Sequence, residues 1–210
     1  MLVPYENDLS MLAARTRYFE ANGFGADGGY SDAWVAFKVG PVSFPFPNTP
    51  QRIDAVKFHD LHHVLTGYDT DFTGELEISA WEIAAGCKRY AAAWVLNLGG
   101  LAAGLFRAPR RVFAAFVRGR RSRTLYGEPF EPLLEKTVGD MRVGYLDEPR
   151  AAPGATAGDV ALFALASLAG LAVGLTLFML ALPLVPVGLV TSWLRRRASS
   201  AVTATKQSSP

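Results

Sequence analysis

A long uncharged run near the end of the chain restricts its fold most strongly. The 35 residues from Val160 to Leu194 include no charged side chain. As a straight helix this run would measure about 50 Å, whereas the hydrocarbon core of a bilayer is about 30 Å thick. Val160–Leu182 is therefore long enough for one span, and Pro183 and Pro186 interrupt the rest of the run. The run predicts a protein attached to a membrane.

Two membrane topologies are compatible with this run. Trp193 and the basic triplet Arg195–Arg197 mark a membrane interface, and basic residues favour the cytoplasmic side. Either the segment spans once and ends in a short tail, or it turns near the prolines as a hairpin or re-entrant loop. The seven arginines of Arg107–Arg123 either lie on anionic lipid or form a solvated basic helix. The arginines of both regions predict that the main domain lies on the cytoplasmic side.

The remaining chain reads as one globular domain. Residues 1–150 are enough to bury a core, and 151–158, rich in Ala, Pro and Gly, form a predicted linker to a membrane segment at 159–197. Residues 198–210 are a predicted disordered tail. The net charge of +2 gives no indication of nucleic acid, and the start of the chain lacks the basic and apolar pattern of a signal peptide. The single Cys87 excludes an intrachain disulfide. The oligomeric state is open, a homo-oligomer included.

Capping and turn signals predict a mainly α fold. Thr49-Pro50 is a strong helix start, and Gly67 ends that helix after Leu65 or Thr66. Two runs that flank Gly40-Pro41 predict a small β-hairpin. The other predicted elements are a helix capped by Asn7 or Asp8 that ends near Ala21, a Gly-rich loop at Asn22–Tyr30, hairpin strands at Trp34–Val39 and Val42–Phe46, a helix from Glu75 through Tyr90 with an extension to Phe106 left open, and a short helix near Leu133–Val138.

The predicted fold class is thus a helical metal-binding domain with a small β-hairpin and a C-terminal transmembrane or re-entrant helical segment. The helix Ala91–Phe106 has no charge but is shorter than a span. Its small residues would either pack in the core or line a groove for an apolar chain. The sequence leaves both possibilities open.

The run His59-Asp60-Leu61-His62-His63 carries the clearest chemical signal. On a helix each residue turns by about 100°, so His59, Asp60 and His63 share one quadrant, while His62 turns away from it. Apolar residues lie beside that quadrant. Polar side chains there are costly unless they are paired or bind a metal. The pattern predicts three ligands on one helix.

A fourth ligand is predicted at the start of the next helix. The turn after Gly67 returns the chain, so Glu75 lies opposite the histidines, and Gly74 permits a close approach. Asp69 and Asp71 could hold an imidazole N–H, and Glu82, seven residues after Glu75, could transfer protons beside the metal. A di-iron carboxylate site normally needs two Glu-x-x-His units, and only Asp60-x-x-His63 is present. A single metal ion is therefore predicted.

The motif is similar to that of a known family. His59-Asp60, two residues, His63, eleven residues and Glu75 resemble the signature of the coenzyme Q (ubiquinone) biosynthesis protein 4 family, as does His63–Tyr68. The resemblance covers residues 8–140. It implies an all-α fold and a zinc-type divalent ion, with Fe²⁺ or Mn²⁺ as alternatives, at His59, Asp60, His63 and Glu75. It also implies a groove for a polyprenyl tail.

The resemblance further implies a reaction. This is the removal of the C1 carboxyl of a prenylated aromatic acid with its oxidative replacement by hydroxyl. The resemblance also implies a scaffolding role among other quinone-biosynthesis enzymes. Two functions follow: a metal-dependent lyase or oxidative decarboxylase at the membrane, and a non-catalytic lipid-binding scaffold with a structural metal. An open coordination position would favour catalysis, and a closed four-ligand site would favour the scaffold. An unrelated metal hydrolase would require a further histidine, and the chain has only three.

Overall fold

The structure, a computed structural model, describes residues 5–39, 42–146, 154–184 and 186. Within these residues the protein is mainly helical with one β-hairpin, which confirms the predicted fold class. The helices are α1 (Met11–Asn22), α2 (Pro50–Thr66), α3 (Phe72–Ala85), α4 (Ala91–Arg107), α5 (Pro109–Arg120), α6 (Phe130–Glu135), α7 (Val138–Tyr145) and α8 (Ala157–Ala181), and a short 3-10 helix comes next at Leu182–Leu184.

Contacts divide the chain into two compact units. Among the described residues, the first combines those up to Ser31 with those from Thr49 to Leu175, and the second combines Asp32–Asn48 with those from Thr176 onwards. In the second unit, strands β1 (Trp34–Val39) and β2 (Val42–Pro47) form an antiparallel hairpin in which Val39 is opposite Val42. The hairpin prediction is confirmed.

Helix α2 follows its sequence signals from end to end. The Thr49 side chain accepts a hydrogen bond from the Arg52 N–H, and Pro50 occupies the first turn, where its missing N–H is tolerated. Gly67 ends the helix with φ +75°, and its N–H donates to the His63 carbonyl. The next helix is capped by Asp71, which places Glu75 in the first turn of α3. These two helix ends position the predicted site.

Three predicted helices differ from those in the structure, each for a local reason. Helix α1 begins at Met11, because the Ser10 side chain caps it by accepting the Ala13 N–H. Helix α3 runs from Phe72 to Ala85 instead of from Glu75 through Tyr90, since Asp71 caps its start and Gly86 and Lys88, which follow its end, have positive φ values. The predicted helix near Leu133–Val138 is two helices, α6 and α7, and Thr137 caps the second.

The core of the first unit includes buried residues of α2, α3, α4 and α5, together with residues of α1, α6 and α7. Glycines bring these helices together: a Cβ on Gly100 would lie 2.2 Å from Ser79 Oγ, and one on Gly104 would lie 2.6 Å from Val112 Cγ2. The small residues of α4 therefore serve close helix packing at these two positions. This supports the core-packing interpretation of the helix there.

Helix α8 contains the apolar segment that the sequence predicts. Ala157–Leu180 is long and apolar enough to cross a membrane, and only 6% of an apolar 18-residue stretch within it is buried in the protein. Its first part packs on the first unit: Phe163 contacts Phe113 and Phe116, and a Cβ on Gly170 would lie 2.9 Å from the Leu98 carbonyl oxygen. The compact unit thus extends to Leu175, beyond the predicted linker.

Several predictions concern residues outside those described. These are the first three residues of the linker, 151–153, the basic triplet at 195–197, the tail at 198–210 and a second arm of the hairpin or re-entrant form. The choice between one span and a hairpin therefore stays a prediction.

Candidate metal centre

Three of the four predicted ligands converge at one point. His59 and His63 come from successive turns of α2, and Glu75 comes from the first turn of α3. Their ligand atoms all lie within 4.8 Å of one another. The Nε2 atoms of the two histidines are 3.2 Å apart, and each is 3.4 Å from an oxygen of Glu75. This cluster could hold a metal ion.

The close approach of α3 depends on Gly74. A Cβ at this position would lie 2.1 Å from the backbone oxygen of Asp69, so any larger residue would displace the loop between the helices. The Asp71 carboxylate accepts the Gly74 N–H at 2.7 Å and caps α3. Asp71 therefore fixes the start of the helix that carries Glu75, instead of holding an imidazole as the sequence suggested.

Both ligand histidines have their other ring nitrogen occupied. His63 Nδ1 donates to the Tyr68 carbonyl at 2.9 Å, and His59 Nδ1 donates to Glu82 Oε1 at 2.9 Å. In a neutral imidazole the remaining nitrogen, Nε2, is then a lone-pair donor. When both rings are neutral, two lone pairs therefore point at the same place as the Glu75 carboxylate. This arrangement of outer hydrogen bonds is the one that orients metal-ligating histidines.

The spacing of these atoms fits a divalent ion. Two nitrogens bound to tetrahedral Zn²⁺ at about 2.0–2.1 Å are about 3.3 Å apart, close to the separation of the two Nε2 atoms. Two imidazoles and one carboxylate are a ligand set suited to zinc and to other first-row metals. The residues present therefore fit such an ion, and they do not select among metals.

Glu82 lies behind His59 and is fully buried. Its Oε1 accepts His59 Nδ1–H and, at 2.7 Å, His62 Nδ1–H. Its Oε2 accepts the Asn97 amide and, at 2.8 Å, the Tyr126 hydroxyl. The sequence predicts Glu82 as a proton-transfer group beside the metal, but the structure places the His59 ring between Glu82 and the site.

His62 belongs to the Glu82 network and turns away from the cluster, as the helical wheel predicts. Its ring is fully buried, and its Nε2 accepts the Leu125 backbone N–H at 3.0 Å. That bond fixes the proton on Nδ1, which donates to Glu82. Burial lowers the pKa of His62, so the ring stays neutral.

Asp60 lies outside the three-residue cluster. Its Oδ2 accepts the Tyr30 hydroxyl at 2.5 Å, and its Oδ1 accepts the Tyr18 hydroxyl at 3.4 Å. Burial raises the pKa of Asp60, whereas the Tyr30 hydrogen bond and the nearby histidines oppose that rise. The carboxylate of this predicted ligand is thus directed at two tyrosines.

The electrostatics of the cluster favour a cation. Burial alone would lower the pKa of His59, but the charge of Glu82, with that of Glu75, raises it well above its ordinary value. Burial would raise the pKa of Glu75, but its hydrogen bonds to His59 and His63 lower it to about 2. Glu82 also has a pKa well below its ordinary value, because His59 and His62 outweigh the effect of burial. Carboxylates that stay ionised around two imidazoles attract positive charge.

Sequence reasoning did not identify the tyrosines and the amide that surround the site. Tyr18, Tyr30, Asn97 and Tyr126 are distant in sequence from the residues they contact, by 15 to 44 positions. Of these four residues, only Tyr30 belongs to a feature that the sequence analysis identifies, the Gly-rich segment Asn22–Tyr30.

Comparison with known protein families, characterised proteins and solved structures finds no match for this chain.

Proposed function

We propose that this protein is a metal-dependent enzyme of ubiquinone or related prenylquinone biosynthesis, which removes the C1 carboxyl of a polyprenylated aromatic acid and replaces it with hydroxyl. The observation that carries the proposal is the convergence of His59 Nε2, His63 Nε2 and Glu75 on one point. Three protein ligands leave a coordination position open, as in catalytic rather than structural zinc sites. The resemblance of the motif to the coenzyme Q biosynthesis protein 4 family supplies the reaction.

The side chains around the site would have separate roles as metal ligands and as groups that orient those ligands. His59, His63 and Glu75 would hold a divalent ion, and such an ion supplies a Lewis acid for a carboxylate or phenolate. Glu82 would orient His59 through Nδ1, and the Tyr68 carbonyl would orient His63. Glu75 is partly exposed, with 42% of its side chain accessible, so a substrate could approach from that side.

The proposed reaction has a simple balance. The bond from the ring to the carboxyl carbon breaks with release of CO₂, and a new carbon–oxygen bond forms at the same ring position. The net change is a two-electron oxidation of the substrate. With dioxygen as the oxidant and water as a second reactant, the products are the phenol, CO₂ and hydrogen peroxide. Dioxygen is thus the co-reactant that the proposal requires.

The apolar helix α8 supports the choice of a lipid-soluble substrate. Ala157–Leu180 has the length and composition of a membrane span, and part of it packs on the unit that carries the cluster. A polyprenylated acid is dissolved in the bilayer, so a membrane-attached enzyme would meet it at a high local concentration. Membrane lipid and the prenylated quinone precursor are therefore the proposed partners, and the cytoplasmic side is the proposed location of the site.

The test measures the release of labelled CO₂. Full-length protein in lipid nanodiscs, loaded with Zn²⁺, Fe²⁺ or Mn²⁺, is incubated in air with a polyprenylated hydroxybenzoic acid carrying ¹³C at the carboxyl. We expect ¹³CO₂ and the corresponding phenol with at least one of the metals, and neither product with Glu75→Gln. Glu77→Gln is the matched control, because Glu77 lies on the same helix but pairs with Arg111. Turnover that is equal in Glu75→Gln would contradict the proposal.

A non-catalytic scaffold for quinone-biosynthesis enzymes is the second candidate. The burial of the hydrogen-bond network favours this candidate. Glu82 of α3 is fully buried and contacts His59 of α2 and Asn97 of α4. A structural metal would stabilise the fold without turnover. Metal that raises the unfolding temperature, with no CO₂ released and with biosynthetic enzymes retained on the protein, would establish the scaffold instead.

A further inference from the structure

Both oxygens of Asp60 are occupied by phenolic hydroxyls. Tyr30 donates to Oδ2 at 2.5 Å, and Tyr18 donates to Oδ1 over a longer distance of 3.4 Å. The residue Asp60 is 6% exposed, so water does not compete freely for its carboxylate. A short hydrogen bond from a hydroxyl to a carboxylate is among the stronger hydrogen bonds in proteins. The orientation of Asp60 is therefore set mainly by Tyr30.

Tyr30 is itself held in place by the end of the Gly-rich segment. Its ring contacts Phe19 of α1 edge to face, with 5.7 Å between the ring centroids. Gly28 packs on the same phenylalanine, and a Cβ there would lie 2.6 Å from Phe19 Cζ. Gly28 also has φ +70°, which disfavours any other residue. The glycine thus lets the chain pass over Phe19 and deliver Tyr30 to Asp60.

The same segment reaches the cluster by a second route. The ring of Phe24 contacts Tyr18 at 5.6 Å, and the ring of Tyr18 stacks on His63 at 5.5 Å with an interplanar angle of 24°. At its start, Asn22 accepts a hydrogen bond from Thr70, in the loop between α2 and α3. The Gly-rich segment therefore contacts the surroundings of Asp60, of His63 and of the loop before Glu75.

We propose that Tyr30, assisted by Tyr18, is a positioning residue that keeps Asp60 out of the metal coordination sphere. This inference rests on the proposed metal site. Asp60 then acts as an outer carboxylate, and the protein supplies three ligands: His59, His63 and Glu75. The charge of Asp60 still favours a cation, because the residue follows His59 directly and is electrostatically coupled to all three ligands.

The consequence is an open coordination position. If Asp60 joined the three ligands, four protein groups would close a tetrahedral site, as in structural zinc centres. With Asp60 held by the tyrosines, the fourth position is free for a substrate oxygen. The Gly-rich segment, through Tyr30, would thus determine whether the site is of the catalytic or the structural type.

The experiment uses Co²⁺, whose visible absorption reports the ligands around it. The full-length protein is titrated with Co²⁺, and the spectrum and the dissociation constant are recorded for the wild type, Asp60→Asn, Tyr30→Phe and the double variant. Asp60→Asn should leave the spectrum unchanged and weaken binding by no more than about 10–100-fold, the range expected for loss of an outer partner. Tyr30→Phe should change the spectrum and tighten binding as Asp60 becomes free to coordinate. The double variant should return to the spectrum of Asp60→Asn.

Tyr18→Phe is the matched control, because it makes the same chemical change at the same carboxylate. Its hydrogen bond is longer, so its spectral change should be smaller than that of Tyr30→Phe. A changed spectrum or lost Co²⁺ in Asp60→Asn would make Asp60 a ligand and overturn the inference. A wild-type spectrum and affinity in Tyr30→Phe would also overturn it. If Tyr30→Phe folds poorly, the Asp60→Asn spectrum alone decides whether Asp60 is a metal ligand.

These results separate this inference from the proposed function. If the wild type binds no Co²⁺, the metal site itself is wrong and both proposals fail. If the wild type binds Co²⁺ but Asp60→Asn changes the spectrum, only the positioning role of Tyr30 fails.

Discussion

The Nε2 atoms of His59 and His63 lie 3.2 Å apart, with the second ring nitrogen of each histidine already donating to an oxygen. Two neutral imidazoles in this arrangement direct lone pairs at each other, which is unfavourable unless a proton or a cation lies between them. Glu75 faces the same point from α3. The geometry therefore favours positive charge, from a proton or a metal ion, at the point where the three side chains meet.

Glu82→Gln should weaken metal binding by about 10–100-fold, the usual effect of removing an outer partner of a ligand histidine. Four donors surround the carboxylate, so the amide of glutamine would direct its own N–H groups at some of them. Each buried donor left without an acceptor costs about 1–3 kcal/mol, so stability should fall as well. Isothermal titration with Zn²⁺ and thermal unfolding measure the two effects.

Tyr126→Phe is a milder change for comparison with Glu82→Gln. It removes a single donor to Glu82 Oε2 and leaves both histidine contacts at Oε1, so it should weaken binding less than Glu82→Gln. If Glu82→Gln instead keeps full metal affinity and loses only turnover, then Glu82 transfers protons as the sequence predicts.

His63→Ala should abolish metal binding, whereas His62→Ala should retain it. His62 is held by Glu82 and by the Leu125 N–H, away from the cluster. Because the His62 ring is fully buried, its removal leaves a cavity and should lower the free energy of unfolding by about 2–4 kcal/mol. Metal content after dialysis, compared with chemical unfolding, tests the distinction. Equal loss of metal in both variants would reject the assignment of ligands.

The helical pattern and the capping signals of α2 could be predicted from the sequence because they are local. Thr49, Pro50 and Gly67 specify one helix, and three-dimensional proximity of His59 and His63 follows from their spacing. The proximity of Glu75 follows from the tight turn between the two helices. These short-range relationships were enough to identify the cluster.

The surroundings of the cluster could not be predicted, because they depend on contacts across the fold. Nothing in the spacing of the motif indicates that Tyr30, thirty residues before Asp60, binds its carboxylate. The position of Glu82 on the same face as Glu75 was predicted correctly, and both residues contact His59. Asn97 and Tyr126, which donate to Glu82, come from outside α2 and α3. The sequence therefore could not show that Glu82 lies behind the His59 ring.

Gly170→Val should detach α8 from α4 and destabilise the first unit. A Cβ at Gly170 would lie 2.9 Å from the Leu98 carbonyl oxygen and 3.1 Å from Leu101 Cδ2, and neither the backbone atom nor the fully buried leucine can move freely. Overpacking of this kind typically costs about 1–3 kcal/mol. Ala169→Val, at the adjacent exposed position, is the control. Thermal unfolding in detergent should show a lower midpoint for Gly170→Val alone, and equal midpoints would show that α8 does not pack there.

Leu168→Lys should reduce the membrane insertion of α8. Leu168 lies near the centre of Ala157–Leu180 and is exposed on the protein surface. A charged residue at the centre of a span costs about 2.5–3.5 kcal/mol of insertion free energy. Ala161→Lys, at a position that is also exposed but lies near the end of the same helix, should have a smaller effect. Alkaline extraction of membranes measures the attached fraction, and equal extraction of both variants would contradict a transmembrane α8.

The metal content of the purified full-length protein tests the central claim most directly. Elemental analysis after exchange into metal-free buffer should find about one divalent ion per chain in the wild type and in Glu77→Gln. Glu75→Gln should contain little or none, because it removes the only carboxylate among the three clustered ligands. Wild-type protein without metal, or Glu75→Gln with as much metal as Glu77→Gln, would contradict the assignment of a metal centre to these three residues.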